Sequence, residues 1–191
     1  MDSVYNSDYT VFKKENAYYY YNSQNKNNIS SNFKLISEFN DGGTIIVPLP
    51  NFSTIPIVSV DIDTNCLSSP IVNIEFKSLI NYSSFIELMA FPNPKIYAPL
   101  AIIFQLSRCR NDGSKSLLKS WNYSRSTIPY SSSIIENFNF SYVDKHPIPG
   151  NYVYSIDIIN ANGSLLSNSF DDTESCSIQS CTLSVTALDS Y

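Results

Sequence analysis

From residue 33 onward the chain is written in short apolar runs separated by turn residues. Residues 33–39 alternate, which places Phe33, Leu35, Ser37 and Phe39 on one face. Asp41-Gly42-Gly43 then reads as a turn, and 44–49 as a strand stopped by Pro48 and Pro50. A strand over 55–62 runs into the turn Asp63-Thr64-Asn65, and 71–76 sets Val72, Ile74 and Phe76 against Asn73 and Glu75. A strand over 85–91 and a proline-bearing loop over 92–99 follow. Residues 100–106 form a continuous apolar run of the kind buried inside a sandwich. Asn111-Asp112-Gly113 closes a hairpin onto 117–123, which holds Trp121. Residues 134–143 alternate through Phe138, Phe140 and Tyr142; a turn at 147–151 precedes a strand over 152–159. A second turn at 160–164 leads to a short strand beginning at Leu165 and Leu166, and 181–188 closes the pattern. These are about ten strands at roughly 8–14-residue intervals with no helical period between them, which predicts an all-β fold: an antiparallel β-sandwich or jelly roll. No repeat of fixed period is present.

Residues 1–32 follow a different rule. Tyr18, Tyr19, Tyr20 and Tyr21 form an aromatic run, and the polar 22–28 that follow have no periodicity. The stretch reads as an N-terminal extension to a sandwich domain over 33–191. As a tail too polar to fold alone it stays disordered. As a docking arm it uses its tyrosines, which bring large contact area at small entropic cost. The residues themselves leave both readings open.

Composition sharpens the class. Only 15% of residues are charged against 43% apolar, and the 14 Tyr and 11 Phe suit half-buried pleated surfaces. A net charge of −5 gives no electrostatic case for binding nucleic acid. No apolar run approaches the ~20 residues of a membrane helix, so no membrane insertion is expected. The Met-Asp-Ser start has neither the basic nor the apolar part of a secretory signal. The expected route is synthesis in the cytosol and, where the protein ends up outside, exposure by lysis or dedicated export.

The chemistry-bearing residues do not assemble into a recognisable motif. A hydrolytic triad would need the one histidine, His146, which sits in the turn-like Lys145-His146-Pro147. Asp61 and Asp63 share a strand face, but they precede Thr64-Asn65, where capping a turn is the expected use. Asp171, Asp172 and Glu174 read as a solvated acidic loop. There is no glycine-rich phosphate loop, and the Asn-x-Ser sequences at Asn28, Asn51, Asn81, Asn122, Asn139 and Asn162 follow from the abundance of Asn and Ser. No catalytic residue, cofactor, metal site or small-molecule substrate is expected, and the chain does not read as an enzyme. Cys66, Cys109, Cys176 and Cys181 contain no CxxC pair. They are either reduced core residues or candidate cross-linking groups.

Two segments carry a resemblance. Gly43-Thr44-Ile45-Ile46-Val47-Pro48 is followed by Val58-Ser59-Val60-Asp61-Ile62-Asp63-Thr64-Asn65-Cys66-Leu67-Ser68-Ser69-Pro70, and this runs on through Ile71-Val72-Asn73-Ile74-Glu75-Phe76-Lys77-Ser78. The D-T-x-C-L-x-x-P-x-V-x-I-E-F-x-S pattern resembles an uncharacterised β-rich domain of spore-forming clostridia. Ile102-Ile103-Phe104-Gln105-Leu106 with Cys109, Trp121, and Phe138-Asn139-Phe140 are similar to later strands of that family. The family usually places a second cysteine where this chain has Ser68, and its cysteine-dense C-terminal part is here thinned to Cys176 and Cys181. More distantly, on architecture alone, the chain resembles the jelly-roll subunits of bacillar endospore appendages. In those, an N-terminal arm enters a neighbouring subunit and disulfides lock the fibre. The resemblance implies a structural, self-assembling spore-surface or appendage subunit, a homo-oligomer or fibre joined through residues 1–32. A carbohydrate- or protein-binding sandwich, with Trp121 as a platform, and a viral capsid or tail jelly roll are the alternatives.

Overall fold

The computed structural model describes residues 4–6, 9–14, 17–22, 35–85, 98–126, 131–145, 147–163 and 173–189. Three short strands come first: β1 (Val4–Asn6), β2 (Tyr9–Lys14) and β3 (Ala17–Asn22). They pair in order as an antiparallel three-stranded sheet. The body follows as β4 (Leu35–Gly42), β5 (Ile45–Ile46), β6 (Ile55–Asp63), β7 (Pro70–Phe85), β8 (Leu100–Arg110) and β9 (Lys115–Arg125). It ends with β10 (Ser131–Lys145), β11 (Asn151–Asn162) and β12 (Thr173–Asp189). No helix occurs among the described residues.

The body is a jelly roll. β4 pairs with β12, β6 with β11, β7 with β10 and β8 with β9, all antiparallel, as if one long hairpin had been rolled up. Rolling adds the pairs β7–β12 and β8–β11. The result is two sheets, one ordered β10-β7-β12-β4 with β5 also on β12, the other β6-β11-β8-β9. Their facing sides hold the core: Val72, Ile74, Phe76, Ile80 and Tyr82 of β7 pack with Ile102, Phe104 and Leu106 of β8 and Tyr154, Ile156 and Ile158 of β11. Each large side chain so buried contributes roughly 1.5–3 kcal/mol.

Strict alternation requires correction where a strand must keep its core face over a long run. On β12 the inward residues change from Cys176 and Ile178 to Cys181, Leu183, Val185 and Ala187. The change of parity occurs at a bulge between Gln179 and Thr182, where Ser180 takes a positive φ of 50°. β11 makes the same adjustment between Ile158 and Asn160, so Ala161 turns inward.

Several local expectations change. On β4 the buried residue is Ile36, opposite Ala187, while Phe39 on the other face is 53% exposed. The alternation of Phe33, Leu35 and Phe39 therefore names the wrong side; Phe33 itself lies outside the described residues. Gly42 continues β4 instead of turning it, paired with Cys181, and the position needs glycine because a Cβ there would meet the Ile57 carbonyl and the Cys181 Cβ at 3.0 and 3.1 Å. Only Ile45–Ile46 of 44–49 forms a strand; the chain then crosses from one sheet to the other, Val47 N–H bonding to Cys176 O and Asn51 pairing with Ala161. β7 runs unbroken to Phe85, and β11 runs through the expected turn at 160–164 as far as Asn162. The loop over 92–99 up to residue 97, the rest of the 85–91 strand and the Leu165–Leu166 strand lie outside the described residues. The extension over 1–32 contains β1, β2 and β3, and β3 passes alongside β4.

The D-T-x-C-L-x-x-P pattern acquires a structural meaning. Asp63 caps the turn by accepting from Asn65 N at 2.9 Å and Asn65 Nδ2 at 2.8 Å. The Thr64 hydroxyl, fully buried, donates to Gly150 O at 2.8 Å and accepts from Gly150 N at 3.1 Å. Leu67 is buried, and Asp189 accepts from the N–H groups of Ser68 and Ser69 at 2.7–3.1 Å. The motif thus ties the β6–β7 turn to the β10–β11 turn and to the end of β12. Thr64→Val removes the hydroxyl at constant shape and leaves Gly150 N–H short of a buried partner, so unfolding free energy falls by about 1–3 kcal/mol. Chemical denaturation of this variant beside Thr64→Ser, which keeps the hydroxyl, checks it.

Candidate functional site

Both sheets end on the same side of the sandwich. β9 closes one and β10 the other, and among the described residues neither has a partner on its outer edge. Their inward side chains meet across the gap. Trp121 stacks on Phe140 with ring centroids 3.7 Å apart, and Phe138 packs on Phe104 at 4.6 Å and on Tyr123 at 5.7 Å. Trp121 also meets Tyr142 edge-on, and the Lys119 ammonium lies over its ring at 5.3 Å. In contrast to Phe76 and Phe104, which are fully buried, Trp121, Phe138, Phe140, Tyr142 and Ile134 are only partly covered.

Two carboxylates point into this seam because they share the parity of its aromatics. Asp144, buried, sits 2.5 Å from Arg108 Nη1 of the opposite sheet and accepts from the Tyr154 hydroxyl at 2.8 Å. Burial works against the Arg108 cation, but the Asp144 carboxylate outweighs it and raises the guanidinium pKa. Burial first, then the same carboxylate, drives the Tyr154 phenol far above its ordinary value. Arg108 also lies over the Tyr152 ring at 5.2 Å. At the other inward position, Glu136 accepts from the Tyr123 hydroxyl at 2.9 Å and has Arg125 Nε at 3.6 Å. Burial and that carboxylate push the Tyr123 phenol up. These residues escaped the sequence reading, although the even-numbered row Phe138, Phe140, Tyr142 predicts that Glu136 and Asp144 face inward with it.

The four cysteines are not brought together. Cys66 is exposed in the β6–β7 turn, and Cys109 is half-buried on the outward face of β8 opposite Val153. Cys176 and Cys181 are buried on β12, and no disulfide joins any of the four. Burial, with the Glu174 charge adding to it, pushes the Cys176 thiol up to about 12; burial alone pushes Cys181 to about 11. Neither forms a thiolate in the ordinary range.

Asp61 and Asp63 both project outward from β6, and Glu174 accepts from the Tyr82 hydroxyl at 2.5 Å. His146, Asp171 and Asp172 lie outside the described residues. Tyr18, Tyr19, Tyr20 and Tyr21 all fall on β3, the strand beside β4. On that side, between β4 and β6, a groove of about 380 Å³ is lined by Asn40, Asp41, Ser59, Ser155 and Asp157. Its acidic groups are engaged: Asp41 accepts from Thr182 Oγ1 and Asp157 lies 3.7 Å from Lys115 Nζ. Among the described residues no group of three or more His, Cys, Asp and Glu is placed to hold a metal.

A family model described as a domain of unknown function, DUF4489, matches residues 43–187, the jelly roll from just after β4 to near the end of β12. The chain belongs to the DUF4489 family. No curated protein matches this DUF4489 chain. Among solved structures it is similar to a mutant VP2 protein of infectious bursal disease virus in derived T=1 particles, with 9% identity and a TM-score of 0.38. That alignment covers 95% of this chain and 45% of the viral one, so the chain spans about half the length of VP2. The CBM22-1 xylan-binding domain of Paenibacillus barcinonensis Xyn10C aligns at 8% identity and a TM-score of 0.26, over 77% of this chain and 85% of that domain. Neither likeness is close enough to carry a functional argument.

Two outcomes follow for this DUF4489 domain. Asp144→Ala strands the Arg108 cation and the Tyr154 hydroxyl and lowers stability by on the order of 3 kcal/mol. Arg108→Met costs less, since Tyr154 still serves Asp144, and the double variant costs less than the sum of the two; denaturation of all three closes that cycle. Native alkylation at pH 8 followed by mass spectrometry modifies Cys66 and Cys109 but spares Cys176 and Cys181 until denaturant is added. In the unfolded chain the latter two ionise near the ordinary 9.0, so their contribution to stability is intact below that pH and is lost as pH rises through about 11 and 12.

Proposed function

We propose that this DUF4489 protein is a structural subunit that assembles with copies of itself in a spore-surface layer or appendage, made in the mother-cell cytosol. The observation that carries this reading is the three-stranded sheet β1–β3, which lies outside the rolled hairpin yet runs alongside β4. A segment that meets the body through one edge makes the same contact with a neighbouring copy at little cost. Exchanged from chain to chain, that contact is heterologous and propagates as a fibre unless it closes into a ring. The exposed Cys66 and half-buried Cys109 are the groups such an assembly offers for covalent locking once it meets oxygen. The spore setting rests on the resemblance of the Asp63–Ser78 segment to clostridial domains.

A glycan-binding module is the weaker reading. Its best platform, Trp121, is already stacked on Phe140 and overlaid by Lys119, which leaves little ring face for a sugar.

Removing residues 1–32 is expected to abolish higher-order assembly, read by negative-stain microscopy and sedimentation. The circular-dichroism spectrum stays that of a β protein, because the rolled hairpin begins at β4. A truncated chain that assembles as well as the full one refutes the arm-driven reading.

A further inference from the structure

Among the described residues no strand lies beyond β9 and β10, and the side they close is only partly buried. The seam aromatics Trp121, Phe138, Phe140 and Tyr142 remain partly exposed, while their counterparts one strand further in are fully buried. β10 is fifteen residues long and pairs with β7 without a single register shift. Proteins ordinarily blunt such edges with bulges, prolines or charges. From Ser131 to Val143 this one has no proline, and its only charged residue, Glu136, turns inward. That inward carboxylate is already served by Tyr123 and Arg125, and Asp144 by Arg108 and Tyr154. Covering the side therefore leaves neither inward carboxylate of β10 without a partner, which is the usual obstacle to burying one.

We infer that the same edge of a second copy covers this side, the two β10 strands running antiparallel across a two-fold axis at Phe138. This rests on the self-assembly reading and adds to it a second, isologous contact, which joins two copies into one continuous sheet. Residues directly opposite in an antiparallel pair share a face, so partners must have the same parity. The axis at Phe138 satisfies this: Asn137 of one copy falls opposite Asn139 of the other, and Ile135 opposite Ser141, all on the outer face. On the inner face Ile134 falls opposite Tyr142 and Glu136 opposite Phe140. No like charges meet, since Asp144 and Lys145 fall opposite Ser132 and Ser131. The exposed Ile135, 66% accessible, gains a neighbour on the outer face.

The test uses the full chain with Cys66→Ser and Cys109→Ser as background. Asn137→Cys and Asn139→Cys are introduced in separate chains; both sites are exposed, so the fold tolerates them. Directly opposite residues lie about 4.5–5.5 Å apart at Cα, within disulfide reach. Oxidation of the mixture is expected to give several-fold more cross-linked dimer than either variant alone. Equal yields in all three samples, or none, overturn the inference. So does a link from position 137 to a cysteine placed at Tyr20, which would put the N-terminal strands on this edge instead. Independently, Asn137→Glu with Asn139→Glu sets like charges face to face in the pair, while within one copy Asn139 neighbours Lys77. Emission of the single Trp121 is expected to shift to the red in this variant with its circular dichroism unchanged; identical emission overturns the inference. Fibres from chains that give no 137–139 link refute the edge pairing alone. The link in solutions free of fibres refutes arm-driven assembly alone.

Discussion

β7 is the strand on which the arrangement of the first sheet depends. It carries buried side chains at every second position from Val72 through Ser84 and pairs along its whole length with both β10 and β12. A one-residue slip of either partner would turn its apolar row outward and replace it with Ser, Thr and Asn. The apolar alternation of β7 therefore fixes two registers at once. Where β12 cannot keep step over seventeen residues, the bulge at Ser180 restores its parity and returns Cys181 and Leu183 to the core. The left-handed residue costs about 1 kcal/mol or more, less than the several buried side chains it keeps in place.

The polar groups of the interface follow from the same constraint. An inward carboxylate on an edge strand is tolerated when the opposite sheet supplies its partners, and Arg108 with Tyr154 does so for Asp144. Arg108 and Tyr154 are themselves register neighbours on β8 and β11, so the tie joins three strands and both sheets at one point. Replacing only one member is damaging because the others stay buried. The turn motif works at the neighbouring end in the same way: Thr64 satisfies both backbone groups of Gly150.

Much of this was legible in the chain. The alternation of Val72, Ile74 and Phe76 and the continuous run at Leu100–Leu106 identify core strands because burial alone selects those residues. The Asn111-Asp112-Gly113 hairpin was legible because Gly113, with φ of 83°, occupies the position where glycine is favoured. What could not be read were the positions where tertiary contact overrides local chemistry. Gly42 looks like a turn and is a strand residue pressed against Ile57 and Cys181. Asn160 looks like a turn and sits by a bulge, since Asn suits both. Phe39 alternates with Leu35, yet β12 presents its apolar side to Ile36. The seam was half legible: the alternation of Phe138, Phe140 and Tyr142 marks one face of β10, and the same parity carries Glu136 and Asp144, but Arg108 has no local signal at all.

A rolled hairpin hides most of its edges by construction, because each strand finds its partner from the far end of the chain. It leaves one pair of edges at each side of the sandwich, and this protein treats its two sides unequally. At β4 and β6 the gap is spanned: Asn40 Nδ2 bonds to Ser59 O at 2.9 Å, and β3 runs beside β4. At β9 and β10 the largest aromatic cluster of the seam stands half covered. β9 carries Lys115, Lys119 and Arg125, the charges that discourage strand addition, while the edge of β10 carries none facing outward before Lys145. An asymmetry of that kind is what separates an edge kept from pairing from one left able to pair. Under the proposed self-assembly, the β10 edge and the N-terminal strands beside β4 would then serve as contacts on opposite sides of the sandwich.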